Sequence, residues 1–169
     1  MNRAKGIVAV LSMTILLAGI MLIVECKKKQ SGPYNPDNDA VKNFSAGSIP
    51  IFLNGTLLGN FASSDSQKLV KVSFTDKAEN KVQEGWYLKD VLALYSKDSA
   101  AKDTISVRVS SSSRNKAVDL RIDDVKNESN KIILAMTKHG TLKLVSVMTG
   151  LDTREKWIQS VDRIEIIRK

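Results

Sequence analysis

The chain is poor in the residues that most often announce chemistry. Of its 169 residues one is cysteine and one is histidine. Cys26 stands at the edge of an apolar N-terminal run, so the globular remainder has no disulfide, no thiolate metal ligand and no cysteine nucleophile. With His139 as the lone imidazole, a zinc site built from Cys and His is excluded too. No glycine-rich phosphate loop and no P-loop word occurs. The serines at 110–113 have neither a glycine elbow nor a histidine at a workable place in the chain, so nucleophilic catalysis has no support. The acidic pairs, Asp123 with Asp124 and Asp76 with Glu79, read as turn acids; neighbours on a strand point to opposite faces and make poor acid-base dyads.

Charge is present, with a net of +8. Five of the 26 bases (Arg3, Lys5, Lys27, Lys28, Lys29) and one of the 18 acids (Glu25) flank the apolar run, and setting them aside leaves 21 bases against 17 acids. A surplus of +4 scattered over a domain, without aromatics interleaved with arginine, serves solubility and does not track phosphates, so no nucleic-acid partner is expected.

Residues 6–24 read GIVAVLSMTILLAGIMLIV, nineteen residues without a charge. At 1.5 Å per residue a helix of that length nearly crosses a hydrocarbon core of about 30 Å. Three readings compete: an uncleaved anchor, a cleaved signal peptide, and a lipoprotein signal ending at Cys26. The run is long for a signal peptide and Glu25 spoils a lipobox, which favours the anchor. Arg3 and Lys5 face Lys27, Lys28 and Lys29 across the run, so charge alone leaves orientation open. A short basic tail leading into an apolar run is the usual form of an export signal and points to a domain outside the cytoplasm. The chain divides into an anchor or signal at 1–26, a Pro-, Asn- and Gly-bearing tether at 27–48, and a domain at 49–169.

Within the domain Asn54-Gly55 separates two apolar runs, a strong hairpin signal. Val70, Val72 and Phe74 alternate with Lys71, Ser73 and Thr75 as on a half-buried strand. Leu88, Val91, Leu92 and Tyr95 recur at helical spacing, predicting a helix over 87–95. Ile105, Val107 and Val109, then Val118, Leu120 and Ile122, predict a second hairpin around the 110–115 connection. KIILAM and TLKLVSVM read as central strands joined at His139-Gly140, a short helix is expected over 153–160 from an Asp152 cap, and RIEII is the last strand. No repeat emerges.

Four stretches taken in order resemble the oxidoreductase molybdopterin-binding, or sulfite-oxidase-like, domain: the opening strand with its NG turn at 51–59, EGWYLKDVLALY at 84–95, HGTLKLV at 139–145 and KWIQSVDRIEI at 156–166. They frame nearly the whole domain. The resemblance implies an α+β fold, a mixed β-sheet domain with few short helices, here preceded by one N-terminal transmembrane helix. It also implies a molybdopterin cofactor, whose metal a cysteine ligates in active relatives. This domain has no cysteine, has SSSSRNKAVDL where the family shows a D-G-Y word, has Thr141 in place of a proline, and lacks chain for the cofactor-wrapping segments. The expectation is therefore a membrane-anchored extracytoplasmic module that is not an enzyme, carries no cofactor, and binds a small anionic ligand or a partner protein. The alternative is a redox subunit that retains molybdopterin.

For either role the candidate contacts are Arg108, Arg114, His139 and Lys143, with Arg121 and Lys138 as further cations. Guanidinium forks suit phosphate and carboxylate, but cations on strands are more often a solvated face, and His139 beside Gly140 reads equally as an exposed turn residue. Trp86 and Trp157 read as core before groove.

Overall fold

The computed structural model describes residues 47–96 and 104–169. The anchor expected at 6–24, Cys26, nearly all of the tether and the side chain of Ile105 lie outside the described residues. Among those described, no helix is long and apolar enough to cross a membrane.

The fold is α+β, with two sheets and few short helices. Strands β1 (Ile49–Leu53), β2 (Thr56–Phe61), β5 (Thr104–Ser111), β6 (Lys116–Arg121) and β9 (Arg163–Arg168) form the first sheet, in the order β2-β1-β9-β5-β6. Strands β3 (Val72–Asp76), β4 (Lys81–Tyr87), β7 (Ile133–Met136) and β8 (Leu142–Val145) form the second in sequence order. Pairing is antiparallel except between β1 and β9, which run parallel. The helices are α1 (Ser63–Ser66), α2 (Leu88–Tyr95) and α3 (Ile122–Lys126), followed by a 3-10 turn at Glu128–Asn130.

The NG turn forms as expected. Asn54 and Gly55 both take positive φ, 46° and 82°, the pair of conformations a tight turn needs to match strand twist. Asn54 does a second job, since its backbone N–H donates to Ile166 O and its side-chain amide exchanges two hydrogen bonds with the Arg168 backbone, at 2.9 and 3.2 Å. The hairpin tip thereby fixes the end of β9.

Strand β4 runs without a loop into α2, and the Leu88 N–H is satisfied by Ile132 O at 3.0 Å. Leu88, Val91 and Leu92 are buried, as the helical spacing predicts. Gly85 lets β4 and β7 lie this close, because a Cβ there would stand 2.0 Å from the Leu134 carbonyl oxygen of β7 and nothing but glycine fits. A continuous core joins the sheets: Phe61 meets Trp86 edge-on at 6.1 Å, and Val107, Val109, Leu120, Leu134, Leu142, Leu144 and Trp157 are buried in the same cluster.

Four expectations change. Strand β8, expected as a central strand, stands at the end of the β3-β4-β7-β8 order. Residues 153–160 are not a helix. Lys156 N–H and Trp157 N–H both donate to Thr153 O, closing one turn, and the chain then extends along β8, with Leu144 and Ile158 exchanging backbone bonds of 2.9 and 3.3 Å. This pairing covers an edge and buries Trp157 and Ile158, which a free helix would not do. Asp152 accepts from Lys156 Nζ at 3.1 Å and caps nothing. Val70 lies before β3 and is 78% exposed, leaving Val72 and Phe74 to pack on the core. Ile122 is inward as expected but opens α3 and does not extend β6.

Candidate functional site

Two hairpin tips and one returning segment surround the concavity that holds most of the candidate residues. The β7–β8 turn is built around Thr137, whose hydroxyl accepts from Thr141 N–H at 3.2 Å and from His139 N–H at 3.3 Å and meets the Thr141 hydroxyl at 2.8 Å. Gly140 closes it at φ 74°. Lys138 and His139 are therefore held outward on a rigid tip. In the other sheet the β5–β6 turn, with Asn115 at φ 47°, carries Arg114. Residues 154–160 complete the wall.

Between them lies a cleft of about 1530 Å³. Seven basic side chains line it against three acidic ones. Some of this charge is cancelled locally. Glu79 accepts from Lys81 at 2.8 Å and Arg154 at 3.0 Å, and these two hydrogen bonds hold its carboxyl below the usual range. Lys71 pairs with Glu84 at 3.1 Å. Lys116 donates to the backbone carbonyls of Glu155 and Trp157, fastening the 154–160 wall to β6.

The rest forms no ion pair among the described residues. Arg114 and Lys138 are exposed and make no ion pair among the described residues, and the His139 ring has no hydrogen-bond partner there either. Lys143 is half-buried, donates to the buried Gln83 Oε1 at 2.7 Å, and lies over the Trp157 ring at 5.0 Å. No carboxylate among the described residues forms an ion pair with it. Burial, then the neighbouring Arg154, pushes its ammonium below the usual lysine range. Trp86 also lines the cleft, and its Nε1–H is buried with no acceptor among the described residues.

Of the four candidates taken from sequence, Arg114, His139 and Lys143 come together here, and Lys138 with them. Arg108 does not. It stands on β5 opposite Asp119 and grips that carboxylate with two bonds of 2.8 Å, as Arg121 grips Asp124 at 2.9 and 3.1 Å. These are cross-strand and local pairs on solvated surface, and each carboxyl is lowered first by its arginine. Trp86 and Trp157 are core residues, 1% and 2% exposed, that also contribute to the cleft wall. Sequence reasoning passed over Lys71, Lys81, Lys116, Arg154 and Gln83. Lys116 carried a signal, two residues from Arg114 on the same tip; Gln83 carried none.

The exposed donor set suits oxyanions: ammonium, guanidinium and imidazole. The carboxylates are mostly engaged by cations, and among the described residues no three of His, Cys, Asp and Glu gather as metal ligands would. Compared with known proteins, the chain matches no protein-family model and no curated protein sequence.

Proposed function

We propose that the chain is a membrane-anchored, extracytoplasmic binding module of the sulfite-oxidase-like fold, without catalytic activity, that holds a small anionic ligand in the cleft beside β8. The observation that carries this reading is the unmatched positive charge of that cleft, Arg114 and Lys138 at its tips and Lys143 within it. The family reading rests on the four sequence words and their order, supported by an α+β architecture in which β4 leads directly into α2. The placement rests on the nineteen uncharged residues at 6–24.

Molybdopterin fits this site by half. Its phosphate would find cations, but its metal would find no thiolate, since the sole cysteine is Cys26. Metal analysis of the purified full chain is expected to return no molybdenum, and a stoichiometric amount would restore the redox alternative.

The binding reading is tested by thermal unfolding of the full chain in detergent with a panel of small phosphates, sulfonates and carboxylates. A ligand at 100 times its Kd stabilises by about 2.7 kcal/mol, a shift of a few degrees for a domain of this size. The Arg114→Glu, Lys138→Glu double variant should fold and lose the shift. A panel in which no oxyanion raises Tm refutes the proposal.

A further inference from the structure

We infer that the three hairpin turns bordering the cleft form a docking surface for the anionic phospholipid headgroups of a bilayer. The inference rests on the membrane-anchored part of the proposed function and goes beyond its small ligand. Register brings the turns to one junction. Val161 N–H donates to Leu142 O at 2.8 Å, beside the β7–β8 turn, and Asp162 N–H donates to Ser110 O at 3.0 Å, beside the β5–β6 turn. Asp162 also accepts from the Ser112 N–H and hydroxyl, so consecutive residues tie the turns of the two sheets together. Strand β4 pairs antiparallel with β7, Gly85 opposite Ala135, and the same register carried outward sets Lys81 level with His139. The β3–β4 turn therefore stands at that end as well. Lys77, Arg114 and Lys138, one on each turn, are exposed and form no ion pair among the described residues. Of the acids nearby, Glu79 is engaged by Lys81 and Arg154, and Asp162 by Ser112.

The chain enters the domain at this same end. Strand β1 runs parallel to β9 with Ile51 opposite Ile164, which sets Ile49 level with Asp162. Ile49 and the β5–β6 turn thus share one end of the first sheet, three strand spacings or roughly 14 Å apart. The Asn54 turn and the last residues of β9 lie at the other end. Residues 25–46, which link the apolar run to Gly47, reach at most roughly 75 Å when fully extended. A domain kept within that reach of its bilayer meets the surface as an intramolecular partner, so a docking too weak to recruit a free protein is enough. Each lysine or arginine close to anionic lipid adds roughly fivefold to such an equilibrium, and the attraction is screened by salt.

The test uses the full chain in nanodiscs of phosphatidylcholine, alone or with about one third phosphatidylglycerol. Trp86 and Trp157 are the only tryptophans of the chain and both line the cleft, so their energy transfer to a dansyl-labelled lipid reports how near this end stands to the headgroups. Transfer should rise with phosphatidylglycerol and fall back at high salt. Arg114→Gln with Lys138→Gln should lower the docked-to-free ratio roughly 25-fold and return transfer to the phosphatidylcholine level; both residues are exposed, so a loss there is not misfolding. Arg121→Gln, at the opposite end of β6, should match wild type. Equal transfer in the two kinds of disc, a rise undiminished in the double variant, or Arg121→Gln as damaging as that variant overturns the docking. Soluble glycerophosphoglycerol at matched ionic strength should leave transfer unchanged. Reversal by it would mean that the cleft captures a free headgroup, which overturns the docking and leaves the small-ligand reading standing. A full chain that does not enter the discs overturns the docking together with the anchor on which it rests.

Discussion

The Tyr95 ring lies against Gly59, where a Cβ atom would stand 2.7 Å from ring Cδ1 and 2.8 Å from Cε1. That close approach lets the hydroxyl meet both Asn60 O at 2.9 Å and the Asp65 carboxylate at 2.7 Å. Asp65 also accepts from Lys68 at 2.8 Å and from Ala62 N–H at 3.1 Å, which ties α1 to the end of α2. Hydrogen bonds from Lys68, then Tyr95, hold its pKa at about 2, below the ordinary 3.8, and burial, then the same carboxylate, raises that of Tyr95. A depressed acid contributes stability that is complete above its unfolded pKa and is lost as pH falls through the folded one. The window here runs from about pH 4 to about pH 2. Because Lys68 is largely exposed, the contribution is about 1 kcal/mol, less than the full shift implies. Urea midpoints should therefore fall between pH 4 and pH 2, and Tyr95→Phe should lower the pH 6 value by about 1 kcal/mol while making the acid dependence shallower. Equal slopes in the two proteins would show that Tyr95 does not hold the carboxylate.

At the scale of elements, the Asn54 turn separates two effects usually confounded. Asn54→Gly keeps the positive φ and removes the amide that clasps Arg168, whereas Asn54→Ala removes the amide and also opposes the backbone. The glycine variant should lose about 1 kcal/mol for its hydrogen bonds, and alanine about 1 kcal/mol more for the left-handed conformation. Chemical denaturation measures both, and a glycine variant as damaged as alanine would assign the whole cost to the clasp. This turn was legible because its chemistry is local. So was α2, whose buried residues repeat at helical spacing. Strand β4 was not anticipated in its own right, and the reason is visible residue by residue: Gln83 is 5% exposed and Val82 is 69% exposed, so polarity alternates in the sense opposite to burial. Residues 153–160 misled for another reason. Their extended course is imposed by the open edge of β8, a partner fourteen residues upstream of Ile158 that no local pattern announces.

Across the whole molecule, the property least legible in sequence is where the charge goes. Along the chain the bases look scattered, and Arg114, His139 and Lys143 stood as candidates with no reason to meet. Folding gathers them because the β5–β6 tip of one sheet and the β7–β8 tip of the other border the same cleft as Lys143, while Arg108, equally basic in sequence, is neutralised by the residue that β5–β6 register places opposite it. A cleft with seven bases and three acids is, in the absence of an anion, a site of self-repulsion in the folded state. That repulsion is screenable: the Debye length falls from about 30 Å at 0.01 M salt to about 8 Å at 0.15 M. Sodium chloride across that range should therefore raise Tm, and should raise it less in the Arg114→Gln, Lys138→Gln variant, whose Tm at low salt should start higher than wild type. Exposed ion pairs such as Arg108–Asp119 and Lys68–Asp65 work in the opposite direction, since salt weakens them. The two proteins share those pairs, so the difference between their salt curves isolates the cleft. Parallel curves, or a Tm that drops with salt equally in both, would mean that the cations at the two tips are too far apart or too well solvated to repel one another.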